Sequence, residues 1–302
     1  MVWLVKNTVG LGIALTSLAY MMFTFHDAAI KLLVATLPVW QILFFRSLTI
    51  LACSLAIGRK ALIIRCATSP VLKPMAFRSL MLLGAWLSYY NAARFLPLGD
   101  ATTLYFAAPI VAMLLAVPVL KEKVTAARWA AVLIGFVGVI VASDPSGLKI
   151  SWPVYLALQA ACLWAFSTVL LRKTAMAETS LVQMTLTNVG FLLMTACALP
   201  FVWVNVSWPQ AALMLAVGLG SGIAQFVFLE GMRRAPLSVL APFEYTSLVW
   251  AFILGYLIWG DLPKHQVVTG AVLIMAAGTI VIISERWGPR LRARKNPPPA
   301  IG

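Results

Sequence analysis

Ten stretches of roughly 17–24 mostly apolar residues run along the chain, separated by short connections rich in Arg, Lys, Pro and Gly. They fall at residues 10–33, 38–57, 75–93, 99–120, 127–143, 153–171, 180–203, 209–229, 237–259 and 266–284. About 20 apolar residues in a helix cross a bilayer. Each stretch is therefore predicted to be a membrane-spanning helix. No connection exceeds about 16 residues, too few for a separate soluble domain. The fold class expected is all-α integral membrane, with ten transmembrane helices.

Composition agrees. Of 302 residues, 62% are apolar and 11% charged, against about 25% charged in an ordinary soluble domain. Mean hydropathy is +0.94. A soluble enzyme and a tethered catalytic domain are both excluded. The net charge of +14 would suit a nucleic-acid binder, but its distribution points elsewhere. Most of the basic residues lie in alternate connections, from Lys6 through the Arg59–Arg78 set, Lys121 to Arg128, Arg172-Lys173 and Arg233-Arg234 to the C-terminal tail. Cytoplasmic loops carry such an excess, so both termini are expected in the cytoplasm, with the positive charge meeting anionic lipid headgroups rather than nucleic acid. The short connections fit a multi-pass protein of a bacterial inner membrane. Cys53, Cys66, Cys162 and Cys197 show no paired or metal-type spacing and read as free thiols. Histidine occurs only at His26 and His265, with no HExxH pattern, so neither a metal, a cofactor nor a catalytic residue is expected.

The most informative pattern is an internal repeat. Arg94-Phe95-Leu96-Pro97-Leu98 returns as Arg233-Arg234-Ala235-Pro236-Leu237, and at the same offset Tyr105 meets Glu244, Phe106 meets Tyr245 and Glu122 meets Asp261. Each copy is a polar turn, a long apolar span and a terminal acid. The repeated unit has five spans, an odd number, so its two copies must be inverted in the membrane. Domain organisation follows: a first five-helix repeat over 1–148, a second, inverted one over 149–285, and a basic, Pro-rich cytoplasmic tail over 286–302. Inverted repeats are a common construction of secondary transporters, whose binding site lies near the midplane between the halves.

The order of these elements resembles the drug/metabolite transporter superfamily, the ten-helix EamA-type carriers. The resemblance lies in Phe95 through Ala101, Pro109, and Trp129 through Gly135 and Gly138. His26-Asp27 with Lys31, Phe44-Phe45-Arg46 and Pro242-Phe243-Glu244-Tyr245 are similar to the subgroup of riboflavin and S-adenosylmethionine uptake carriers. Two positions depart from the family pattern: Lys121-Glu122 replaces its Gly-Glu, and Gly260-Asp261 shortens the acid. The resemblance implies alternating-access transport of a small organic metabolite. Uptake of a heteroaromatic or amphipathic compound is the leading expectation, and an amino-acid or drug-type exporter is the alternative. A passive channel and an intramembrane enzyme are the readings from other classes.

Ionisable side chains within spans are costly and become functional candidates by default. Asp27 and Lys31, one helical turn apart, share a face of the first span. Asp27 and Arg46 lie about 12–13 Å from the turn joining the first two spans, at 1.5 Å per residue. An Asp27–Arg46 or Asp27–Lys31 pair is therefore expected, with Arg46 facing a substrate carboxylate, phosphate or carbonyl; a purely structural lock between the two helices is the competing use. Glu244 is expected to bind substrate or carry a coupling proton, or else to bond a neighbouring helix. Trp86, Tyr90, Tyr105, Trp164 and Tyr245 supply a stacking surface or core packing. His26 reads as a packing residue, and Gly218, Gly220 and Gly222 as helix contacts rather than a phosphate loop. Pro109 and Pro118 are expected to kink the fourth span. Trp152 and Trp208, near span ends, read as interfacial anchors. The partners expected are a small-molecule substrate, membrane lipids and a coupling proton, with the protein a monomer or a homodimer.

Overall fold

A computed structural model describes residues 2–34, 36–93, 95, 104–143, 151–259 and 265–295, and all regular structure among them is helical. The helices are α1 (Val2–Val34), α2 (Val39–Ala67), α3 (Leu72–Ala93), α4 (Ala108–Leu120), α5 (Ala126–Ser143), α6 (Trp152–Thr174), α7 (Ser180–Val202) and α8 (Trp208–Arg234). A single turn α9 (Leu237–Leu240), a 3₁₀ segment (Ala241–Tyr245), α10 (Thr246–Trp259) and α11 (His265–Lys295) follow. Six helices among the described residues are long and apolar enough to cross a membrane, and Ala108–Leu120, Ala126–Val141 and Val268–Ser284 are shorter apolar helices. Helix is what such sequences must form in lipid, where every backbone N–H and C=O needs an internal partner.

Two spans depart from the unbroken helices expected. The ninth is divided by the 3₁₀ segment, where Pro242 removes a backbone donor and restricts Ala241 before it. In the fourth, Phe106 and Ala107 form a turn, and α4 begins only at Ala108. Pro109 thus sits in the first turn of α4, where its missing N–H costs nothing, rather than kinking a continuous helix. α2 also bends, at Arg59, whose φ of 49° is left-handed; the apolar span expected there ends just before it.

Each helix has a limited set of neighbours. α5 packs on α11, α1 on α8, α3 on α6 and α2 on α7, with further contacts of α4 on α6, α2 on α8, α3 on α7 and α1 on α10. Small residues permit the close approach, as in membrane helix pairs generally. Gly231 of α8 lies directly against Thr16 of α1, and a Cβ at Gly218 would stand 2.6 Å from the Thr49 Cβ on α2. Gly222 also faces α2, whereas Gly220 looks into open space. The central packing layer combines Ala19, Ala108, Ala112, Ala161 and Ala165 with Tyr20 and Phe228. Trp152 and Trp208, at the first turns of α6 and α8, are exposed.

Candidate functional site

Arg46, in the middle of the apolar part of α2, is 6% exposed. Its guanidinium lies over the Trp86 indole of α3, 4.9 Å from the ring centroid, and its Nε is buried without a hydrogen-bond partner. A cation–π contact of this kind contributes about 2 kcal/mol when desolvated, which offsets only part of the cost of holding a cation away from water. The expected Asp27–Arg46 pair is not formed. Asp27 instead accepts from His26 Nδ1 at 3.2 Å, and its side chain is 65% exposed. Equal depth along two helices does not fix rotation about their axes, and Asp27 emerges on the open side of α1 while Arg46 turns inward beneath the indole. Asp27 still acts on Arg46 and Tyr90 through its field. The Lys31 side chain lies outside the described residues.

A continuous string of aromatic rings starts from Trp86. Tyr90 follows at 6.0 Å between centroids, then Tyr89 at 5.9 Å and Tyr105 at 5.2 Å. Tyr105 leads to Trp164 at 6.3 Å and to Phe106 at 6.1 Å, and Phe106 meets Tyr245 at 5.9 Å. Most of these contacts are edge-to-face, the arrangement favoured by the ring quadrupoles. The string unites all five aromatic residues selected from the sequence. Tyr245 is fully buried and its ring occupies the space that a side chain at Gly135 of α5 would fill.

Trp164 brings the string to Glu244. This carboxyl is 5% exposed, on the 3₁₀ segment that divides the ninth span. The Trp164 indole and the Tyr20 phenol neighbour it, yet Trp164 Nε1 closes no hydrogen bond of normal geometry. Among the described residues no cation pairs with Glu244. Ser247 and Thr246 donate their hydroxyls to the carbonyls of Glu244 and Phe243, both at 2.6 Å, which satisfies acceptors released at the helix break. Tyr20 and Phe228 went unselected in the sequence. Tyr20 lies seven residues before Asp27, two turns along the same face of α1, which is the signal that points to it.

The intramembrane amides are mostly spent on holding helices together. Gln41 and Val204 exchange two hydrogen bonds at 2.8 and 3.0 Å, Asn188 donates to Gln225 at 2.9 Å, and Gln183 serves the carbonyls of Thr174, Ala175 and Glu178. Charged groups at the Arg-rich ends are equally engaged. Arg65 donates from Nε and a terminal nitrogen to Glu178, both at 3.0 Å. Glu122 accepts from the Leu237 and Ser238 amides at 2.9 and 3.0 Å, capping the start of the ninth span. Arg78, counted from sequence among the loop charges that set topology, is instead buried, donating to the Ser167 carbonyl and the Thr187 hydroxyl. Among the described residues no cluster of three His, Cys, Asp or Glu is arranged to hold a metal ion.

The chain has relatives among named bacterial transporters. The chain is 26% identical to the S-adenosylmethionine uptake transporter of Rickettsia prowazekii (strain Madrid E) over 63% of its own length and 65% of that protein's. It is 28% identical to the riboflavin transporter of Rhizobium johnstonii over 67% of this chain and 66% of that one. The pseudopaline exporter CntI of Pseudomonas aeruginosa is 26% identical over 88% of this chain and 94% of its own. The chain thus spans just under two thirds of the length of the Rickettsia relatives it matches. The fold is shared with solved structures, among them a crystal structure with a TM-score of 0.75 at 17% identity over 94% of this chain and 98% of that one. The EamA-like transporter pattern matches twice, over residues 10–143 and 151–284, and the chain, a multi-pass membrane protein, belongs to that family.

Proposed function

We propose that this protein is a secondary carrier that takes up a heteroaromatic or amphipathic metabolite, such as riboflavin or S-adenosylmethionine, across a bacterial inner membrane with both termini in the cytoplasm. Ten spans form two inverted five-helix repeats, over 1–148 and 149–285, followed by the cytoplasmic tail 286–302. The neighbour pairs of the fold support the two-fold repeat. Exchanging each span with the one five later turns α1–α8 into α6–α3, α2–α8 into α7–α3, and α4–α6 into the ninth span on α1, while α2–α7 and α5–α11 map onto themselves. The two broken spans support it too, since the repeat brings Phe106, in the turn of the fourth span, onto Tyr245, the last residue of the 3₁₀ segment in the ninth. Breaks of that kind in corresponding spans accompany binding sites in transporters.

The observation that carries the substrate reading is the aromatic string between an incompletely bonded Arg46 and a Glu244 that pairs with no cation among the described residues. Arg46, under the field of Asp27, receives an anionic or carbonyl group, and Lys31 of the same helix as Asp27 is the other cation proposed for the substrate. Trp86, Tyr90, Tyr105 and Trp164 receive a flat ring. Glu244, backed by Tyr245, receives a cationic or hydroxyl group or carries a coupling proton. The two halves rock about this site, and a single chain encloses it. Export is the second reading, favoured by the longer alignment with the pseudopaline exporter. Counterflow decides between them. Purified protein in liposomes preloaded with unlabelled compound is expected to accumulate labelled riboflavin or S-adenosylmethionine, and no accumulation of either by folded protein overturns the ranking of substrates.

A further inference from the structure

We propose, building on the carrier reading above, that His26 and Arg46 form a single donor–acceptor edge that takes the imide side of a flat heteroaromatic ring. In that side a ring C=O stands next to a ring N–H. The Arg46 guanidinium donates to the carbonyl, and His26 Nε2 accepts from the N–H.

The roles follow from the hydrogen bond that His26 makes. His26 Nδ1 faces the Asp27 carboxylate at 3.2 Å. A carboxylate only accepts, so Nδ1 carries the proton and Nε2 is left with a lone pair. That Nε2 is buried and has no partner. Arg46 Nε, a donor, is buried and without a partner as well. Both residues border one indole: the His26 ring meets Trp86 edge-on at 5.8 Å, and the Arg46 guanidinium lies over the Trp86 face at 4.9 Å. An orphaned acceptor and an orphaned donor against the same ring are costly separately and complementary to one ligand group together.

That complementarity narrows the ligand class. A bare carboxylate or phosphate satisfies Arg46 and sets its own lone pairs against His26 Nε2. A bare ammonium does the reverse, placing two cations together. The ammonium of a zwitterion has a better site at the exposed Asp27 carboxylate than at a neutral buried imidazole. A neutral N–H beside a C=O fits both atoms, and the aromatic string beginning at Trp86 accommodates the rest of the ring. Nε2 and Nε are both covered in this conformation, so the ring edge arrives by displacing a neighbour; the half-buried Trp86, which touches both residues, is the side chain so placed.

The test compares riboflavin with 3-methylriboflavin, in which a methyl group replaces the imide hydrogen. Counterflow of labelled riboflavin into liposomes is measured with either compound as unlabelled competitor. The wild-type carrier is expected to bind the methylated compound at least about tenfold more weakly, because a buried acceptor left unpaired discriminates strongly. His26→Phe keeps an aromatic ring against Trp86 and removes the acceptor, so riboflavin falls to the level of its methylated analogue and the selectivity disappears. His26→Gln, which supplies an amide oxygen, recovers part of it. Equal competition by the two flavins in wild-type protein overturns the proposal without any variant, as does selectivity that survives in folded His26→Phe. Counterflow of S-adenosylmethionine but not of riboflavin overturns the imide edge and leaves the carrier reading intact. Absence of counterflow for every compound, in vesicles holding folded protein, overturns both.

Discussion

The protein keeps charged side chains out of water in two places and treats them differently. At the Arg-rich ends the hydrogen bonding is completed. Glu178, 4% exposed, accepts both forks of Arg65 and the Ser69 hydroxyl. Glu122 accepts two backbone amides and the Ser238 hydroxyl, and Arg78 bridges α6 and α7. Along the aromatic string the bonding is left open. Arg46 and Glu244 are as buried as Glu178, yet Arg46 has an unpartnered Nε and, among the described residues, Glu244 has no cation. Burial alone therefore does not separate a structural charge from a functional one. Completion does: a closed set of bonds holds helices together, while an open one, retained at a cost, leaves room for a ligand.

The sharpest way to break this contrast is to damage one member of each kind. Arg65→Ala strands the Glu178 carboxylate in a buried position, a change that costs about 3 kcal/mol, at the lower end for a broken buried pair because Arg65 is itself half open to solvent. The expected result is a large drop in melting temperature and folded yield, with counterflow per folded molecule preserved. Arg46→Ala should behave in the opposite way. Losing a charged hydrogen bond to substrate removes about 1.5–3 kcal/mol, which is roughly a ten- to hundredfold loss of transport, while the yield of monodisperse protein stays at the wild-type level. A collapse in yield for Arg46→Ala would assign that residue to the structural kind and remove the contrast.

How much of this was legible beforehand depends on what sets each feature. Helix positions follow from length and apolar content, so 153–171, 180–203 and 209–229 lie within or nearly match α6, α7 and α8. The broken ninth span was missed because its residues are apolar on both sides of the break. Its only local signal is Pro242, and whether a proline bends or divides a helix is decided by the neighbours that donate to the freed carbonyls, here the Thr246 and Ser247 hydroxyls. The aromatic site residues were legible because i,i+4 spacing places Trp86 and Tyr90 on one face. The partner of Asp27 was not, since counting residues from a turn gives depth and leaves azimuth free. Arg78 shows the same limit: position near a span end said nothing of whether the side chain pointed to headgroups or to Ser167.

Glu244 tests the open kind of charge from its other end. Glu244→Gln preserves shape and hydrogen bonding and removes the charge, so folded yield should be unchanged and transport should fall about tenfold, the effect of one charged interaction. The form of the loss distinguishes its two uses. If the carboxylate binds substrate, counterflow and uptake driven by a pH gradient fall together. If it carries the coupling proton, counterflow persists while gradient-driven uptake stops. Unchanged transport in both assays would place Glu244 with Glu178 among the groups that merely hold the fold.

The smallest effect concerns the ring that Arg46 lies on. The Arg46 guanidinium lies over the Trp86 ring, and indole is the best of the aromatic faces for a cation. Trp86→Phe keeps an aromatic surface in the string but weakens the attraction, by about 0.5–1 kcal/mol, the scale of a modest cation–π difference. Transport should fall only about two- to fivefold on that scale, and the loss should appear in apparent affinity rather than in folded yield. Trp86→Leu removes the face altogether and should approach Arg46→Ala. The graded order Phe, then Leu, then loss of the arginine is what a ligand site built on the indole requires. If Trp86→Leu lowers stability and leaves affinity untouched, Arg46 and Trp86 are packing partners, and the open charge lies at Glu244 alone.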